Sequence, residues 1–140
     1  MLTDARARPL YFSYVTPVRP TSMQRILYGM TLEEHVRVDV IANGLLKPVP
    51  ERPDVLFVDE LSLVAVRKVA GIPTAFLKKA DDSAAVEQKL TTLMYDTGGN
   101  TADQEFIGQV LAKLETQCDL VEPFARMREA LKEVIKNAGK

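Results

Sequence analysis

The chain has few of the residues that cross-link, coordinate metals or span membranes. Its single cysteine, Cys118, excludes an internal disulfide framework. One histidine, His35, beside that one cysteine leaves too few soft ligands for a structural zinc site. Uninterrupted apolar runs reach only four residues, at Val55–Val58 and Leu63–Val66, whereas a spanning helix needs about 20. Arg6 and Arg8 mimic a basic leader, but Pro9, Ser13 and Pro17 interrupt what a secretory signal would keep apolar. A reducing, cytoplasmic location with no membrane contact is therefore expected. No cofactor or metal is expected either.

What is present is the composition of an ordinary globular protein. The 140 residues are 46% apolar and 26% charged, enough for one compact domain with a sizeable core. The formal net charge of −1 hides a pattern. Four arginines against Asp4 leave residues 1–30 at +3. Nine acids against two lysines leave residues 81–122 at −7, and residues 123–140 return to +3. Basic ends around an acidic middle suit arm-to-body contacts between copies, or ends that fold back on their own chain. The N-terminal bases are all arginine, with Tyr11, Phe12 and Tyr14 among them, a composition that grips partner surfaces.

Periodicity divides the chain into an N-terminal arm over 1–9, a β-rich region over 10–58 and a helical region over 59–140. Leu10–Val15 reads as a strand, being rich in aromatic and β-branched residues. Ser22 caps a short helix through Met23, Ile26 and Leu27, stopped by Gly29. His35–Ala42 alternates Val36, Val38 and Val40 with Arg37 and Asp39, which predicts a strand. Asn43-Gly44 then predicts a hairpin turn, with Leu45–Val49 as a return strand that Pro48 confines to an edge. A short strand follows at Val55–Val58.

From Asp59 onward the spacing is helical. Asp59 caps a helix over Glu60–Ala70, with Gly71 at its end. Thr74–Lys79 reads as a short helical turn, and Ser83 caps a helix over Ala84–Tyr95. Thr101 and Gln104 form a capping box for a long helix carrying Ile107, Leu111, Leu114, Cys118 and Val121. Pro123 opens a last helix carrying Phe124, Met127, Leu131, Val134 and Ala138. Both stripes repeat every seven residues, the pattern by which helices pack on helices. The expected fold is α+β, a small antiparallel β region followed by a three- to four-helix C-terminal bundle.

Motifs that suggest chemistry fall short. Asp96-Thr97-Gly98 matches the aspartic-protease triplet, but no second triplet exists to share the proton, so activity would need a dimer. Val55–Glu60 resembles the apolar strand and Asp-Glu pair that hold magnesium in P-loop ATPases, but no phosphate-binding loop accompanies it. His35 and Asp39 would share a face of a strand and form an acid–base pair, with no nucleophile placed beside them. Cys118 lies on an apolar stripe, which favours burial. Leu63–Ala80 resembles a helix-turn-helix with its turn at Ala70-Gly71-Ile72. Thr74, Lys78 and Lys79 would then face DNA. Arg67 departs from the small residue common in such motifs, and Asp81-Asp82 would repel phosphate.

The leading expectation is a non-enzymatic interaction or assembly subunit of a homo-oligomer or larger complex, a virion among them. Its contacts would come from the arm (Arg6, Arg8, Tyr11) and the last helix (Phe124, Met127, Leu131, Val134). A helix-turn-helix DNA-binding regulator comes second. A small hydrolase using His35 with Asp39, or Asp96 in a dimer, comes third.

Overall fold

The apolar run at Val55–Val58 becomes the first strand of a four-stranded sheet in the computed structural model, which describes residues 1–80, 88–89 and 93–140. Strand β3 (Leu56–Val58) pairs in parallel with β4 (Thr74–Lys79). Strand β6 (Leu93–Asp96) runs antiparallel to β4 on its other edge, and β5 (Gln88–Lys89) pairs outside β6. The order β3-β4-β6-β5 places β4 inside the sheet, bonded on both edges.

Alternation along the strands decides what covers each face. Ala75 and Leu77 of β4 and Leu93 and Tyr95 of β6 point to one side. There they meet Ile107 and Leu111 of α5 (Thr101–Leu114) and Phe124 of α6 (Glu122–Ala138). Ile107 and Leu111 are fully excluded from solvent. On the other side Leu56 joins a smaller cluster of Val38, Ala42 and Val66. The crossover from β3 to β4 runs through a 3₁₀ turn (Leu61–Ala65) and α4 (Val66–Ala70). Gly71 ends α4 at φ +66° and donates its N–H to the Arg67 carbonyl, the left-handed stop expected there.

The broad α+β class holds, with helices on both faces of the sheet, but several elements differ from expectation. His35–Ala42 is helical. A helix begins at α2 (Leu32–Glu34), widens to π geometry over His35–Ala42 and ends as α3 (Asn43–Leu46). The side-chain pairs are those of a helix. Arg37 meets Glu33, and His35 meets Asp39, each across four residues, a spacing a strand cannot close. The valines are β-branched and crowd an α turn, and here the turn widens. Asn43-Gly44 is accordingly no hairpin turn. Asn43 donates to the Asp39 carbonyl inside the helix. The return strand expected at Leu45–Val49 is absent, since α3 runs to Leu46.

Thr74–Lys79, expected as a helical turn, is strand β4. Its neighbours on both edges supply the backbone partners that a helix would have supplied internally. The helix expected over Ala84–Tyr95 is overturned where the chain is described, because Leu93–Asp96 pairs with β4. Gln88–Lys89 is likewise strand β5, and the other positions, with Ser83, lie outside the described residues. The C-terminal half is therefore two long helices on a sheet, rather than a helical bundle. The N-terminal strand shortens to β2 (Pro9–Tyr11), which forms a small antiparallel ribbon with β1 (Leu2–Thr3). Asn100 replaces Thr101 as the α5 cap, accepting from the Asp103 N–H at 3.1 Å.

Helix α5 lies close to the sheet at Gly108. A Cβ there would sit 2.6 Å from Tyr95 Oη and 3.6 Å from the ring carbon that bears it. The ring is buried and cannot swing away. Gly108→Ala is therefore expected to destabilise the fold by about 1–3 kcal/mol in urea denaturation. In a Tyr95→Phe background, which removes the clashing oxygen, the same change should cost less than about 0.5 kcal/mol. Equal costs in both backgrounds would refute this account of the glycine.

Candidate functional site

The N-terminal arm is built around Asp4. Its carboxylate accepts from the N–H groups of Arg6 and Arg8 at 2.9 and 3.0 Å and from Arg8 Nε at 2.6 Å. These bonds, led by the Arg8 N–H, hold its carboxyl below the usual range. The loop they close presents backbone carbonyls to the C-terminal helices. Arg126 donates to the Ala7 carbonyl at 2.7 Å, and Cys118 Sγ lies 3.8 Å from the Ala5 carbonyl. The Met1 amino group lies 3.6 Å from Met127 Sδ. The arm thus folds back on its own chain through carbonyls, while Arg6 remains exposed and Arg8 is engaged by Asp4. Tyr11 is half-buried.

The residues expected on the last helix separate along its length. Phe124 is 7% exposed and belongs to the core, and Met127 packs against it. Val134 is half-buried, whereas Leu131 and Ile135 reach solvent. Arg128 ties this helix to the end of β3 through Asp59 at 2.5 Å.

The other expected sites take structural roles. Thr74 is buried and donates to the Ile72 carbonyl at 2.8 Å. Lys78 and Lys79 follow on the same strand, and Lys79 meets Asp119 at 3.3 Å. No second helix exists there to enter a groove of DNA. His35 Nδ1 and Asp39 Oδ2 do meet, at 2.9 Å, through helical rather than strand spacing. The imidazole also stacks on the Tyr28 ring at 4.2 Å between centroids. Asp96 accepts from the Gly98 N–H at 2.7 Å and fixes the turn between β6 and α5, which was expected to join two helices. Burial, aided by the Asp119 and Asp4 charges, pushes the Cys118 thiol up.

A groove of about 460 Å³ runs along α5 beside Tyr95, Glu105 and Gly108. A second, of about 270 Å³, lies beside Lys79, Cys118 and Asp119. Neither is lined by His35, Asp39 or Asp96. Among the described residues, no group of three His, Cys, Asp or Glu side chains is placed to hold a metal, and no helix is long and apolar enough to cross a membrane.

The feature with most surface to offer lies between the arm and the π-helical segment. Helix α1 (Ser22–Tyr28) is closed by a reciprocal box, Thr21 Oγ1 accepting from the Gln24 N–H and Gln24 Oε1 from the Thr21 N–H. Gly29, at φ +51°, breaks it, and a 3₁₀ turn (Gly29–Thr31) leads on to α2. Every residue from Thr21 to Met30 is exposed. Met23 is 62% exposed, Ile26 76%, Leu27 73% and Met30 101%. Leu10, Tyr14 and Val18 extend the apolar surface before it. The short helix is legible in the sequence. Its exposure is not, because an apolar stripe reads the same whether it faces a core or a partner.

No protein-family model, curated protein or solved structure matches this chain.

Asp119 sets the start of α6 by accepting from the Val121 and Glu122 N–H groups at 2.9 and 3.1 Å. The Val121 bond first, and the Lys79 charge last, hold its carboxyl below the usual value of 3.8. A depressed value stabilises the fold above the ordinary carboxylate range and loses that stability as the pH falls through the folded-state value. Asp119→Ala should therefore cost about 1 kcal/mol at neutral pH. The gap from the unaltered protein should close as the pH drops below 3.8. A gap independent of pH, read by urea denaturation, would refute the cap.

Proposed function

We propose that this chain is a non-enzymatic protein-interaction or assembly subunit that binds its partner through the exposed apolar segment around α1, with the outer end of α6 as a second contact. The observation that carries this reading is the continuous exposure of Thr21–Met30, with Met23, Ile26, Leu27 and Met30 each at least 62% exposed and Tyr28 partly so. Fully burying each such side chain stabilises by about 1.5–3 kcal/mol. A patch of this kind on a soluble surface marks a contact site.

Helix length supports the same reading. An isolated helix shorter than about 12–15 residues is marginal in water. Helix α1 has seven residues and buries none of them. Its own chain supplies caps but no packed face, and a partner would supply that face. Leu131 and Ile135 offer a smaller apolar strip on α6. A cytoplasmic setting fits the lone cysteine.

The test is absolute mass by light scattering after size exclusion, on the chain purified alone and on the chain isolated from its source cells. A species heavier than the 15.6 kDa monomer is expected in at least one of them. Leu27→Asp, at an exposed position, should remove that species while leaving the thermal midpoint within about 2 °C. A 15.6 kDa monomer from both sources would refute the proposal.

A further inference from the structure

We infer that the partner of this segment is a second copy of the chain, related by a twofold axis so that the two α1 helices lie antiparallel. This rests on the reading of the α1 segment as a contact surface, and names its occupant.

The segment is held at both ends and left open between them. Before it, Ser13 Oγ donates to the Leu45 carbonyl at 3.2 Å. Val15 Cγ1 lies 3.1 Å from where a Cβ on Gly44 would stand, so the glycine lets the chain pass close. After it, Tyr28 stacks on His35. Between these anchors α1 bridges the outside of the molecule, with Met23, Ile26 and Leu27 on neighbouring turns facing away from any core. An aliphatic and methionine stripe is self-complementary: it packs as well on its own copy as on any apolar surface.

Charge selects the orientation. The exposed stretch begins basic, with Arg19 and Arg25, and ends acidic, with Glu33 and Glu34. No acid lies between Asp4 and Glu33, and no lysine or arginine between Arg25 and Arg37; His35 stands next to Glu34. Arg19 stands eight residues before Leu27, and Glu34 seven after it. By order along the chain, a twofold axis near Leu27 would set the basic start of one copy toward the acidic end of the other, twice. A parallel arrangement would set like over like. Arg19, Arg25 and Glu34 make no ion pair among the described residues. Glu33 makes one at 3.6 Å with Arg37 while its side chain stays 80% exposed. The groups that would meet across the axis are thus available on each copy.

The stripe is small, so association belongs at the weak end of specific interfaces and is read across a concentration series. Light scattering on the purified chain should show a species of twice 15.6 kDa. Leu27→Asp should abolish it. Arg19→Glu and Glu34→Arg should each weaken it about tenfold, since each reverses two symmetry-related pairs, and the double variant should return to within about threefold. Several results would overturn the inference. A purified chain that stays monomeric, while the chain from source cells sits in a heavier complex lost on Leu27→Asp, removes the second copy but leaves the contact surface. A dimer that survives Leu27→Asp and is lost on Leu131→Asp moves the contact to α6. A dimer lost on Leu27→Asp that the double reversal fails to restore rules out the antiparallel arrangement. A monomer from both sources removes both the pairing and the contact surface.

Discussion

Strand β4 is bonded on both edges and buried through Ala75 and Leu77 on one face, and the C-terminal helices take their places from it. Ala75 and Leu77 set the depth of α5 through Ile107 and Leu111, and α6 follows through Phe124. On the other side of the sheet the π-helical segment, through Val38 and Ala42, packs with Val66 of the crossover and Leu56 of β3. A strand in this position cannot shift register by one residue without exchanging its two faces. The turn after β6 repeats the constraint at the next level. Asp96 fixes Gly98, Asn100 caps α5, and buried Asp103 receives Arg67 from α4 at 2.5 Å. One ion pair thus joins the helix before β4 to the helix after β6.

The sequence was legible where local chemistry alone decides structure. Gly71 ends α4, Gly29 ends α1, and Pro123 lies in the first turn of α6, as caps and breakers require. It misled where tertiary partners decide. Thr74–Lys79 buries Ala75 and Leu77 and leaves Phe76 and Lys78 half-buried, but this alternation is too short, and Phe76 too apolar, to show as a period of two in the sequence. His35–Ala42 shows the reverse error. Its period of two is real, but Glu33 with Arg37 and His35 with Asp39 carry a period of four in the same stretch. Weighing ion pairs beside apolar spacing would have found the helix. The candidate surface was half legible: its residues could be named, but exposure is a property of the whole fold.

The charge pattern has a different meaning in three dimensions. Basic ends around an acidic middle suggested ion pairing between them. The arm instead offers carbonyl oxygens to Arg126, and its own Arg8 is engaged by Asp4. Two segments of like charge can therefore lie together, because the backbone supplies the acceptors. Among the described residues of the middle, Asp103 pairs with Arg67, Asp119 with Lys79 and Glu122 with Arg126. The stretch between the arm and α2 keeps Arg19 and Arg25 exposed beside its apolar side chains.

That stretch combines a short helix with devices that hold it in shape before any partner arrives. The reciprocal box at Thr21 and Gln24 satisfies two N–H groups at its start, and the Tyr28–His35 stack fixes the far side of its closing turn. A cap is worth about 1 kcal/mol, which offsets the entropy of ordering one residue rather than seven. The helix is thus biased toward its bound shape without being stabilised by it. Under the proposed association, part of the ordering cost is met in advance, and the rest must be met by the apolar contact. A patch of four side chains can serve as a contact on those terms, where the same residues on a free arm would return most of the gain as entropy.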